Sequence, residues 1–248
     1  MFFEMSSFRT YRRDGLPSRS HERVRVMRKR QRVRPYRKKP APQLSRMRIG
    51  GFPKTAVARL KYVVEQSVNA GASGVPTVVK YHANGCFDPE DAVGGHQPIG
   101  FDEFMARYDH YYVLGSKIKL TPTTSSTSVK GPVVIAIRLE DSTAITPNSV
   151  AHVLENPGTV WTTWGPNPQG QENKSKYIKK YYSCKKFFGY KPFGNKMQVG
   201  SGAANPEEDA LFNVYVMGID FSDPATITYI AEIEYIVAFS EPKAFLQS

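Results

Sequence analysis

Sixteen arginine and lysine residues crowd the first 48 positions of the chain, against three acids, Glu4, Asp14 and Glu22. The densest stretch supplies Arg23, Arg25, Arg28, Lys29, Arg30, Arg32, Arg34, Arg37, Lys38 and Lys39. Guanidinium groups predominate, and a planar guanidinium matches phosphate oxygens with two parallel bonds. A bare nuclear-import signal needs only about 5–8 basic residues. Sixteen point to neutralising a polyanion such as nucleic acid, with import as a second use of the same side chains. Another basic stretch runs from Lys174 to Lys196, with eight lysines, seven aromatics and no acid. Its candidate phosphate contacts are Lys179, Lys180, Lys185 and Lys186. Lysines can track a backbone while aromatic rings stack on unpaired bases, at about 1–3 kcal/mol per base. The aromatics are read here as core residues of a strand. The lysines fit a wet strand edge and a phosphate track equally well.

Other chemistry finds little footing. No phosphate-binding glycine loop, HExxH, GxSxG or dinucleotide fingerprint occurs. His21, His82, His96, His110 and His152 are scattered. His82 and Cys86 lie close in sequence, but a zinc site wants four ligands, or three and a water. Asp88, Glu90 and Asp91 read as a solvated acidic loop rather than a cation site. Cys86 and Cys184 are expected to be free thiols. No catalytic residue, metal or cofactor is therefore assigned, and the chain is not expected to be an enzyme. The longest aliphatic run is Val133–Ile137, far too short to span a bilayer, and no secretory leader is expected at Met1–Thr10.

The elements that must position these groups follow from patterning. Residues 1–48 carry a net charge of +13, and residues 49–248 carry −1, within a total of +12. So dense a run of like charge with so little apolar surface predicts a disordered arm over 1–48. Arg48-Ile-Gly-Gly-Phe-Pro53 marks the boundary of a folded domain over 49–248. Within it, Leu60, Tyr62, Val64 and Val68 share a face, as do Val133, Ile135, Ile137 and Leu139. Tyr112, Leu114, Ile118 and Leu120 are placed together on a third strand. Residues 211–219 are apolar on both faces, predicting a strand covered on both sides. From Ile227 to Phe239 every second residue is apolar, which is strand periodicity. Val75–Tyr81, Thr159–Thr163 and Tyr177–Phe187 complete eight strands. One helix is predicted where Phe101, Phe104, Met105 and Tyr108 fall at i, i+3, i+4 and i+7. Short strands joined by Gly-, Pro- and Ser-rich loops argue for an antiparallel sandwich. The long loops Ala83–Gly100, Thr143–Asn156, Trp164–Ser175 and Gly189–Asp209 are expected at its edges.

Four features, in order, resemble the capsid protein of circular Rep-encoding single-stranded DNA viruses, the circovirus and cyclovirus-like group. They are the Arg-rich arm ahead of a Pro/Gly boundary, the segment Phe101–Ile118 (FDEFMARYDHYYVLGSKI), the basic segment Lys179–Gly189 (KKYYSCKKFFG), and the terminal strand Tyr229–Phe239 followed by Pro242. The resemblance implies an eight-stranded antiparallel jelly roll and a small icosahedral shell of about sixty identical subunits. It implies an arm facing a packaged circular single-stranded DNA genome, residence in the virion, and passage through the host nucleus by way of import receptors. Membrane insertion is not implied, and no receptor is specified.

From the residues alone, two other classes compete. One is a monomeric nucleic-acid-binding β domain with a basic tail, which particle size would separate from a shell. The other is a jelly-roll enzyme of the cupin type, which needs clustered histidines around one metal.

Overall fold

A computed structural model of the chain describes residues 52–70, 75–91, 95–123, 133–141, 147–164, 177–189, 194–218 and 226–244. The arm, and the expectation of disorder made for it, lie outside the described residues. Strands β1 (Thr55–Asn69), β2 (Thr77–His82), β3 (Tyr108–Thr123), β4 (Val133–Glu140), β5 (Val160–Trp164), β6 (Ile178–Ser183), β7 (Gly200–Ser201), β8 (Leu211–Gly218) and β9 (Thr226–Pro242) form two antiparallel sheets. The first runs β1-β9-β3-β6, with the two-residue β7 also paired to β3. The second runs β2-β8-β4-β5. Chain-consecutive strands mostly sit in opposite sheets, and the last strand lies between the first and the third. Two Greek keys closed on each other in this way make a jelly roll, and all eight predicted strands take part in it.

Alternation decides what each strand buries. In β9, Ile227, Tyr229, Ala231, Ile233, Tyr235, Val237 and Phe239 all face the core. β1 answers with Leu60, Tyr62 and Val68. β8 is buried throughout. Its Phe212, Val214 and Val216 join the intersheet core, while Tyr215 and Met217 pack on the far side with Val134, Ala136 and Val153. That second cluster is covered by α2 (Val150–Glu155), whose first turn is capped by Ser149 accepting from the His152 amide at 3.2 Å.

Several expectations need correction. The predicted helix is α1, only Phe101–Met105. Tyr108 pairs instead with Pro242 as the first residue of β3, because extending the sheet satisfies its backbone groups. The helices α2 and α3 (Cys184–Phe187) were not foreseen. α2 lies within the expected loop Thr143–Asn156, and α3 ends the segment predicted as one strand to Phe187. Gly189–Asp209 also holds a 3-10 turn, Lys196–Gln198, and β7. Ala83–Gly100 is partly buried through Ala83, Asn84, Cys86 and Glu90. The loop Trp164–Ser175 lies almost wholly outside the described residues. In β3 the pairing slips between Val113 and Gly115. This bulge at Leu114 reverses parity, so Tyr111 and Val113, rather than Tyr112, share the inward face with Ile118 and Leu120. Tyr112 falls on the other parity yet is wholly buried within the same core cluster, where its hydroxyl meets Cys184 and donates to Gln198 Oε1 at 2.8 Å.

Candidate nucleic-acid interface

The outward face of the β1-β9-β3-β6 sheet gathers Tyr177, Lys179 and Tyr181 from the second basic stretch. β6 is the end strand of that sheet, and it pairs with β3 in register: Lys117 with Tyr181, Ile118 with Lys180, Lys119 with Lys179. Period-2 geometry turns Ile118 inward, so Lys117, Lys119, Lys179 and Tyr181 point outward together. Tyr177, just before β6, and Tyr181 are 54% and 58% exposed, whereas Tyr182 is 4% exposed. The aromatics of this segment therefore divide. Tyr182, with Phe187 and Phe188 packed edge-on around it, belongs to the core as expected. Tyr177 and Tyr181 do not.

Charge on this face is arranged in rows. Lys61 of β1, Glu234 of β9, Lys117 and Tyr181 form one row, and Val63, Glu232, Lys119 and Lys179 the next. Lys117 Nζ donates to Glu234 at 2.8 Å, and Lys119 Nζ to Glu232 at 3.2 Å. Lys61 closes on Glu232 at 3.1 Å. Lys61, followed by Lys119, holds the Glu232 carboxyl below the ordinary carboxylate range; Lys117 does the same for Glu234 and is itself raised by that bond. Lys179 has no acidic partner among the described residues. Its ammonium lies 5.9 Å from the ring centroids of both Tyr177 and Tyr181, and that of Lys119 lies 5.4 Å from Tyr177.

The structure separates the four lysines chosen from sequence. Lys179 lies on the outward face. Lys180 points to the inner side at the rim, where it donates to the Gly158 carbonyl, and partial burial lowers its ammonium from the ordinary range. Lys185 and Lys186 are exposed on α3. Lys186 also borders a 240 Å³ cavity with Leu139, Tyr181, Tyr182, Ser183 and Phe187. Arg23, Arg25, Arg28, Lys29, Arg30, Arg32, Arg34, Arg37, Lys38 and Lys39 lie outside the described residues. Lys117 and Lys119 were overlooked, though their alternation with Ile118 and Leu120 carries the signal.

Elsewhere the chemistry differs. Glu90, expected in a solvated loop, is buried; it accepts from the Tyr62 hydroxyl at 3.4 Å and from Gln66. His82 is wedged between Asp209 at 3.3 Å and Asp91 at 3.7 Å. A 580 Å³ cleft is rimmed by Asp88, Asp102 and Glu103, with His96, which is the wrong sign for a polyanion. Among the described residues no three His, Cys, Asp or Glu side chains converge as a metal would require. Cys86 and Cys184 are free and buried. Among those residues no helix is long and apolar enough to cross a membrane.

No family profile and no curated protein matches the chain. Solved structures similar to it include the BFDV capsid protein in a 60-mer, at 13% identity over 79% of this chain and 100% of that one, with a TM-score of 0.41. A semi-empty virus-like particle of the Macrobrachium rosenbergii nodavirus is similar at 10% identity over 84% and 94%, with a TM-score of 0.47. Tobacco necrosis virus is similar at 13% identity over 79% and 87%, with a TM-score of 0.44. Likenesses this distant transfer no residue role, ligand or assembly state to this chain.

Proposed function

We propose that the chain is a viral coat subunit. Identical copies, on the order of sixty, close into a small icosahedral shell and package circular single-stranded DNA through residues 1–48. The observation that carries this reading is the division of charge: +13 in residues 1–48 against −1 in the rest of the chain. The described core clusters are built from apolar and aromatic side chains of the sheets, and sixteen cations against three acids in residues 1–48 are not what packing such a core requires. Counterion release on a nucleic acid accounts for them. The ten arginines and lysines from Arg23 to Lys39 are the proposed phosphate contacts, and the same residues suit import receptors on the way to a nuclear assembly site. Jelly rolls stack two sheets and present loops at their ends, and such units pack around symmetry axes. Ile99 at 89% exposure and Trp161 at 51% offer apolar contact surface for that packing.

Deleting residues 1–48 tests the reading. The truncated protein should keep a cooperative melt and lose its nucleic acid. Full-length protein should bind single strands with a logarithmic salt slope of about −0.7 per phosphate contacted. Undiminished DNA content in particles of the truncated protein would refute the packaging role of the arm.

A further inference from the structure

We propose that the outward β3–β6 face is a second single-stranded nucleic-acid site, in which Tyr177 and Tyr181 stack on bases while Lys117, Lys119 and Lys179 hold the phosphates. It deepens the packaging reading, because it gives the folded domain a contact separate from residues 1–48.

Three observations carry it. First, Lys119 and Lys179 stand directly opposite each other across the strand pair. Like charges at that position destabilise a sheet, and of the two lysines only Lys119 reaches Glu232, which it shares with Lys61. An edge strand protected from aggregation needs charge on it, but it does not need a facing pair of the same sign. A phosphate bound between the two ammonium groups removes the conflict. Second, Tyr177 and Tyr181 expose more than half of their surface where a tyrosine serving the core would be covered. They stand about 13 Å apart along the strand. Each ring has an ammonium within 6 Å of its centroid, so a base stacked on the ring brings its phosphate beside a cation. Third, the face is polarised. Glu232 and Glu234 lie on β9, on the same outward face, and pair with Lys119 and Lys117 on the side away from β6, while the described residues of β6 include no acid. The cavity bordered by Tyr181, Tyr182, Phe187 and Lys186 continues the site over the strand edge. Stacking on rings with lysines alongside suits a single strand, because a duplex hides its base faces.

Ultraviolet crosslinking of the full-length protein to oligo(dT), followed by peptide mapping, is the test. The expected crosslinks fall on the peptide holding Tyr177 and Tyr181, and a duplex of equal length gives none there. Tyr177→Ala/Tyr181→Ala leaves the charge unchanged, so it should weaken oligo(dT) binding at about 0.3 M salt by roughly fivefold or more per ring. Tyr177→Phe/Tyr181→Phe, which keeps the stacking surface, should bind as the parent does. Crosslinks confined to residues 1–48, or unchanged affinity of the alanine variant, would overturn the proposal. So would an alanine variant that binds oligo(dT) normally but no longer assembles, which would assign the face to subunit contacts. Sedimentation of the same samples reports shell formation separately, so failure of the coat reading would be recognised as such.

Discussion

Tyr235 is wholly buried between the sheets, and its hydroxyl donates to the His82 carbonyl at 2.7 Å. The same device recurs. Tyr81 and Tyr229 join hydroxyls at 3.2 Å, and Tyr111 donates to Asn205 at 3.1 Å. Burial raises all of these phenols well above their ordinary range, so they stay neutral donors. Tyr235→Phe removes one such bond and should cost about 1 kcal/mol, read as a fall of about 2–4 °C in Tm. A larger loss is expected at Glu140, which pairs with Arg138, accepts from Tyr215 at 2.7 Å, and is only 10% exposed in its side chain. Glu140→Ala leaves the Arg138 charge buried and should cost about 3–5 kcal/mol in denaturant unfolding. Glu232 supplies a pH-dependent case. Its folded-state pKa is depressed from 4.5, chiefly by Lys61, so its stabilising contribution is present above that value and lost as pH falls through the folded-state pKa. The Tm advantage of the parent over Glu232→Gln should therefore be largest near neutrality and vanish in acid below the ordinary carboxylate range. An advantage that persists or grows there would contradict the assigned ion pairs.

The strands show where sequence pattern suffices and where it fails. β9 and β1 were legible because each buries one face against the core, so apolar and exposed residues alternate without interruption. β8 was legible as doubly covered because both of its faces are apolar. β3 was misread at its middle, since one bulged residue, Leu114, reverses parity and composition does not mark it. α1 was overextended because Tyr108 fits helical spacing and strand pairing alike, and tertiary pairing decided. Glu90 was misplaced because its partners, Tyr62 and Gln66, lie on a strand more than twenty positions earlier. The candidate face was half legible: the lysines stood out in sequence, but nothing local separates exposed Tyr181 from buried Tyr182. Deleting Leu114 tests the bulge. With it gone, Val113 and Gly115 would pair consecutively with Val237 and Ile236 and leave Tyr111 and Val113 facing inward, so the expected outcome is soluble protein that still melts cooperatively; loss of folded protein would contradict the assigned bulge. Gly200 is less tolerant, because a methyl there would overlap the Tyr111 ring. Gly200→Ala should lower the Tm by several degrees.

At the level of the molecule, function is read from a near-neutral jelly roll joined to a strongly basic arm. In a shell of about sixty subunits the arms would supply about 780 positive charges, enough for on the order of 800 phosphates. That would neutralise much of a single-stranded circle of a few kilobases, leaving the remainder to counterions and to lysines on the folded domain such as Lys179. Such a device works only if the subunits close around the DNA, so assembly is the decisive property. Sedimentation of full-length protein with single-stranded DNA, across a range of salt, measures it directly. Subunits of 27.9 kDa should assemble into a particle with roughly 1.7 MDa of protein. A monomer or dimer under every salt and DNA condition would contradict the coat-subunit reading and leave a nucleic-acid-binding β domain in its place.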